Sequence, residues 1–220
     1  MNASPLLRLI KETLLLIPCS GAKQRGRKPS NAPSILSALD PARADALANA
    51  RAALRQKALL DEETLMPAYL RYAGQLYKHG STPIGEAVAA GQRVLIVSGA
   101  YGILRADEPI GMYEKRFALS DWPGGLLGEC MLDYARHEGI RSIIAVMSNT
   151  TDYAKLIRRV NWRTAGMEAI LASPVARGSG SGAMVKVPRA QGQALAALIN
   201  RGLDQDWRSS DSLSLKIESV

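Results

Sequence analysis

The chain has 220 residues, 28 Lys and Arg against 20 Asp and Glu, a formal net charge of +8 and a pI near 9.7. Hydrophobic residues at 47% beside charged residues at 22% exclude a disordered or fibrous chain and describe a globular one. The two cysteines, Cys19 and Cys130, and the two histidines, His79 and His137, exclude a disulfide framework and a structural zinc site, so no metal is expected. No apolar stretch reaches transmembrane length, and Met1–Lys11 lacks the layout of a signal peptide, so the expected location is the cytoplasm, with no membrane partner. The basic excess leans toward a polyanionic partner.

In chain order, Met1–Glu12 reads as a short amphipathic helix or a loose arm. Thr13-Leu-Leu-Leu-Ile17 is a continuous apolar run, as in a strand buried on both faces. Pro18 stops it, and Cys19-Ser20-Gly21-Ala22-Lys23 forms the loop at its end. Residues 24–34 carry Arg25, Arg27 and Lys28 beside Pro and Gly and read as a mobile basic loop. Asp40 as N-cap and Pro41 at the first position open a helix running to about Leu60. Pro67–Tyr77 reads as a second helix, with Tyr69 and Tyr72 on its packing face and Tyr77 the tyrosine best placed to reach a site. Thr82-Pro83 opens a third helix, ended by Gly91.

Val94-Leu-Ile-Val-Ser-Gly-Ala-Tyr-Gly-Ile-Leu-Arg105 then passes from a buried strand straight into a glycine turn bearing Ser98 and Tyr101. Asp107, Pro109 and Tyr113 follow. Two glycines within four residues let the backbone turn tightly and approach another group closely. Trp122-Pro-Gly-Gly125 leads into a helix to about Glu138, and a third buried strand follows, Ser142–Met147, which ends in Ser148, Asn149, Thr150, Thr151, Asp152 and Tyr153. After a helix to about Trp162, Met167–Leu171 reads as a weaker strand. Arg177 precedes Gly-Ser-Gly-Ser-Gly182, suited to a phosphate cradle or to a plain loop. Met184–Val187 reads as a short strand and Gln191–Gly202 as a helix, with a polar, frayed tail over 204–220.

Apolar strands alternating with helices predict one α/β domain over residues 1–220, with a mostly parallel central sheet flanked by helices in three layers. In such sheets ligands bind beyond the carboxyl ends of the strands. Three strand ends carry polar clusters here: Cys19-Ser20-x-x-Lys23, Ser98-x-x-Tyr101-x-x-x-Arg105, and Ser148-x-x-x-Asp152-Tyr153. Their convergence in one pocket is the expectation, with Ser20, Lys23, Ser98, Tyr101, Arg105 and Tyr113 lining a single cavity.

These residues resemble the YaaA family, labelled peroxide stress proteins. The match rests on Ser20-Gly-Ala-Lys23 after an apolar strand and on Ser98-Gly-x-Tyr101-Gly-x-Leu-Arg105, with Pro109 and Tyr113 downstream. It is stronger to the family's shorter relatives carrying Pro-Cys-Ser-x-x-Lys, here Pro18 to Lys23, and it extends in order over roughly Leu14 to Lys186. Ser148–Tyr153 matches a Ser-Asp-Glu-Tyr of the longer members loosely. Those members have Ser-Pro where this chain has Cys19-Ser20, and the 24–90 region does not align with them. The Pro-Cys-Ser-x-x-Lys loop is also similar to one in a domain of archaeosine synthase, which modifies a deazaguanine base in tRNA. The resemblance implies an intracellular DNA-binding protein that limits oxidative damage.

The residues themselves suggest chemistry. Lys23 suits a base or nucleophile if its pKa is lowered, Ser20 stands beside it, and Cys19 is a candidate thiolate. Arg105 has the donor fork for phosphate or carboxylate. Tyr101 and Tyr113 suit stacking on a base, with Asp107 and Asp152 as acceptors for its edge. Arg105 and Asp107 equally suit an ion pair that fixes their loop, and Cys19 an inert place beside a strand. Ser-x-x-Lys without the partner elements of penicillin-binding enzymes excludes that mechanism. The expected function is a nucleic-acid-associated protein, DNA ahead of RNA, with a base- or nucleotide-binding pocket and base-modifying or base-releasing chemistry open to it. The alternative is a non-catalytic DNA-binding oxidative-stress protein with a basic surface. No cofactor is named by the sequence.

Overall fold

The apolar runs at 13–18, 93–98, 142–146 and 168–175 become neighbouring parallel strands. In a computed structural model, which describes residues 7, 9–175, 183–204 and 206–220, these are β1 (Thr13–Pro18), β3 (Arg93–Ser98), β6 (Ser142–Val146) and β7 (Glu168–Val175). Thr13 faces Ser142 on one side of β1, and Leu14 faces Arg93 on the other. Antiparallel β4 (Gly102–Arg105) and β8 (Ser214–Ser219) close the two edges, giving the order β4-β3-β1-β6-β7-β8. A separate antiparallel pair joins β2 (Asp61–Pro67) to β5 (Pro109–Met112).

Side chains alternate across these strands, as they must in extended chain. Leu14, Leu16, Leu95, Val97, Ile143 and Ala145 enter one buried cluster. It is completed by α1 (Pro41–Leu54), α4 (Leu126–His137) and α5 (Asp152–Arg159) through Leu47, Met131 and Ile157. Leu15, Ile17, Val94, Ile96, Ile144 and Val146 enter a second cluster. Its other members include Tyr72 just after α2 (Ala68–Arg71), Leu76 and Ile84 of α3 (Gln75–Ala89), and Leu195 and Leu198 of α6 (Ala183–Arg201). The chain is thus α/β, with a six-stranded, mostly parallel sheet and helices packed on it. Among the described residues no helix is long and apolar enough to cross a membrane.

The Asp40 cap forms as the sequence predicts: its carboxylate accepts from Ala42 N–H at 3.0 Å, with Pro41 at the first helical position. Elsewhere the elements differ. The first helix ends at Leu54, and the second breaks after Arg71, so that α3 starts at Gln75 and runs through Pro83. Residues 184–187 are not a strand but the first turns of α6. The tail expected to fray supplies β8, paired with β7 from Ser214 opposite Val175 to Ser219 opposite Ile170. The 24–34 loop is tied to the fold at several points: Gln24 N–H donates to Arg71 O, Lys28 N–H to Leu65 O, and Ser30 Oγ to Asp107 O. The glycine-serine run at 178–182 and most of the amino-terminal arm lie outside the described residues.

One buried ion pair sets the corner that carries β4 into β5. Glu108 accepts from Ser34 Oγ (2.7 Å), Ile35 N–H (2.9 Å), Arg105 N–H (3.2 Å) and Arg51 (3.1 Å). Arg51 also donates to the Tyr101 and Ile103 carbonyls. A second buried cation, Arg71, donates to the carbonyls of Gln24, Thr64 and Ile110, cross-tying the basic loop to β2 and β5. Burial lowers its pKa, and carbonyl acceptors substitute for the lost water.

Candidate functional site

The chain leaving β1 turns toward β3, whereas the chain leaving β6 goes on to β7. These diverging connections make the carboxyl ends of the two strands a topological switch point, the usual ligand position in open α/β sheets. Cys19, just beyond β1, and Tyr153, in the first turn of α5, meet here, with Sγ 3.2 Å from the phenol oxygen. Phe117 stacks on the Tyr153 ring at 4.9 Å between centroids.

After Cys19 the loop runs antiparallel to residues 71–73. Ala73 N–H donates to Ala22 O and Gln24 N–H to Arg71 O, each at 2.9 Å, placing Lys23 opposite Tyr72. The loop approaches so closely that a Cβ on Gly74 would stand 2.2 Å from Ser20 Oγ. Glycine at 74 leaves room for the Ser20 hydroxyl in this rotamer. The Lys23 side chain folds back, with Nζ donating to the Ser20 and Gly21 carbonyls at 3.3 Å and lying 3.8 Å from the centre of the Tyr113 ring. Burial lowers the Lys23 pKa, against the smaller opposing pulls of Cys19 and Glu114. A half-buried amine with a lowered pKa has the makings of a base or nucleophile.

Beneath the lysine lies a closed ring of hydroxyls. Tyr72 donates to Ser98 Oγ (3.2 Å), Ser98 is 3.0 Å from the Tyr113 oxygen, and Tyr113 is 2.9 Å from Tyr72. Ser98 Oγ also accepts from Tyr101 N–H at 3.2 Å. Tyr72 already donates to Ser98, so the ring is satisfied when Ser98 donates to Tyr113 and Tyr113 to Tyr72. Burial raises both phenols well above their ordinary value, keeping the protons in place. Gly99 next door is pressed against the 115–116 backbone: a Cβ would fall 2.2 Å from Lys115 O. This contact holds Tyr113 and Glu114 against the strand end.

The structure therefore brings together Cys19, Ser20, Lys23, Ser98 and Tyr113, and it separates the rest of the expected set. Arg105 lies opposite Leu95, because β4 runs antiparallel to β3 and carries the chain back toward the far end of the sheet. Three residues of strand, about 10 Å, separate that level from Ser98. Arg105 is instead bonded to Asp107 through two contacts of 3.0 Å, which raise its pKa, and the pair borders a cavity of about 140 Å³ with Arg93 and Glu138. The two form the ion pair that is the alternative reading of these residues, and Arg105 does not join Ser98 and Lys23 in the single cavity expected.

Tyr101 is also corrected. It is buried, accepts from Gly111 N–H at 3.0 Å and donates to Glu62 at 3.2 Å, so it anchors loops and offers no face to a base. Tyr113 shares that limit, being 2% exposed with Lys23 over its ring. Asp152 accepts from Leu119 N–H (3.1 Å) and pairs with Lys155 (2.9 Å), which lowers its pKa, and it lines a different cavity of about 420 Å³ beside α4.

Sequence reasoning gives two members no role at the site. Tyr153, named in the third cluster beside Asp152, makes the contact to Cys19. Tyr72, assigned to packing, closes the hydroxyl ring, while Tyr77, expected near a site, is buried with its hydroxyl donating to Pro18 O. Helical spacing could not distinguish them, because the helix breaks between Tyr72 and Tyr77. Among the described residues no cluster of His, Cys, Asp and Glu is suited to a metal ion. No family model matches the chain, and a search of curated proteins finds no match either.

Proposed function

We propose that the crevice at the ends of β1 and β6 binds a nucleobase or nucleotide and that Lys23 is its reactive group, in a nucleic-acid-associated protein of the kind the YaaA resemblance implies. The observation that carries this reading is the Lys23 amine, half-buried over Tyr113 with its pKa lowered, above a buried hydroxyl ring. The accessible surface includes Cys19, Ser20, Lys23 and Tyr153, each partly buried. Tyr153, stacked on Phe117, supplies an aromatic surface for a base, and the lysine a proton acceptor or nucleophile beside it. The two core clusters support the finer reading of one three-layer domain.

A second reading is favoured by a specific feature. Arg25, Arg27 and Lys28 are exposed on the loop leaving the site and have no carboxylate within ion-pair distance among the described residues. Arg105, expected to hold the anionic group, is committed elsewhere. These cations suit a phosphate backbone, and a non-catalytic DNA-binding protein needs nothing more.

Incubating the purified protein with nucleobases, nucleosides, nucleotides and DNA, and following binding and product formation, separates the readings. Turnover or small-ligand binding that disappears in Lys23→Ala supports the first. The variant forfeits about 0.5–1 kcal/mol of cation–π attraction, so its melting temperature should fall by only about 1–4 °C. DNA binding that is indifferent to Lys23, with no small ligand bound, would establish the second reading instead.

A further inference from the structure

The 420 Å³ cavity lies apart from the lysine, between the start of α4 and one face of α5. Its size falls in the range of small-ligand sites. Leu127, Leu156 and Val160 contribute apolar wall. Asp152 and Lys155 at its rim are paired with each other at 2.9 Å. Arg159, one helical turn beyond Lys155 on the same face, is exposed and has no carboxylate within ion-pair distance among the described residues. The wall also contains Trp122, 5% exposed, whose indole N–H has no acceptor. The benzo edge of Trp122 is turned to Gly102, and the indole nitrogen itself has almost no accessible surface. A buried donor without an acceptor costs free energy unless something supplies one.

We propose that this cavity is a second ligand site, taking a small organic anion with an apolar body and one carboxylate. The body fills the leucine and valine wall beside Trp122, and the carboxylate pairs with Arg159. The proposal is independent of any chemistry at Lys23. It also fits the position of the cavity at the start of α4 and α5, both of which begin at the carboxyl edge of the parallel strands, where α/β sheets present their ligand sites.

Phenylacetate and phenylbutyrate, each paired with its uncharged amide, provide the probes, with binding to the full chain followed by saturation-transfer NMR and calorimetry. The acids should bind at least tenfold more tightly than the amides. Arg159→Gln, at an exposed position, should remove that preference and leave amide binding unchanged. Gly124 lines the mouth and has no atom within 4 Å of a Cβ placed on it, so Gly124→Trp should fold normally and exclude acids and amides alike. Lys23→Ala should leave all of this binding intact. Failure of both acids to bind the wild-type chain overturns the proposal. So does equal binding of acid and amide, or an acid preference that survives Arg159→Gln.

Discussion

Lys23 is held by contacts that suit a cation, two carbonyls and an aromatic face, while its burial opposes the charge. The outcome is a pKa below the ordinary lysine value of 10.5. An unfolded chain therefore binds this proton more tightly than the folded one. Folding stability from this residue accordingly rises as pH climbs from the lowered value toward 10.5, and below that interval the folded chain carries the whole desolvation cost. Competitive acylation across a pH series should show Lys23 deprotonating earlier than a free lysine side-chain analogue; a midpoint at or above the analogue's would contradict it. The loop sequence was enough to single out Lys23, Ser20 and Cys19, because small polar residues directly after an apolar strand have few structural uses. It was not enough for Tyr72, whose role depends on residues 22–24 aligning with 71–73, a pairing with no local signature.

At the scale of elements, Glu108 joins the turn at 34–35, α1 and the corner between β4 and β5 through four donors. The Glu108 and Arg51 side chains are 5% and 14% exposed, so solvent screens the pair little. Removing one partner leaves the other charge buried. Glu108→Ala should therefore cost about 3–5 kcal/mol and lower the melting temperature by roughly 10 °C, read by calorimetry; a shift under about 2 °C would show the pair to be dispensable. The parallel strands were readable because a strand buried on both faces must be apolar throughout. β2 was not, since Asp61-Glu-Glu-Thr64 looks like solvated loop and pairs only with β5. β8 could have been found: Leu215 and Ile217 alternate with Lys216 and Glu218, the period of a half-buried strand, and both apolar residues pack on the second core cluster. The polar composition around them hid the alternation.

For the whole molecule, the +8 charge says little until it is placed. Arg51, Lys57, Arg93, Arg105 and Lys115 are paired with carboxylates, and Arg71 is committed to carbonyls. Arg25, Arg27 and Lys28, on the loop leaving Lys23, belong to the cations with no carboxylate within ion-pair distance among the described residues. If they contact phosphates, each contributes about 0.9 to the slope of log affinity against log salt. Replacing all three by Gln should therefore flatten the slope for duplex DNA by roughly 2–3, measured by anisotropy between low and physiological salt. An unchanged slope would leave these residues merely solvated.

The central place of β1 also governs how the chain reaches this structure. Leu14–Ile17, four fully buried residues worth about 6–12 kcal/mol of transfer free energy, find their strand partners at Arg93–Ile96 and, for Leu14–Leu16, at Ile143–Ala145. Such distant pairings make for high contact order and slow folding. During synthesis the strand must wait, sticky on both edges, until β6 has emerged. A fragment ending at Gly139 would keep β1 paired with β3 but leave its other edge bare. It should therefore aggregate where the full chain stays monodisperse, a difference that light scattering during refolding would reveal.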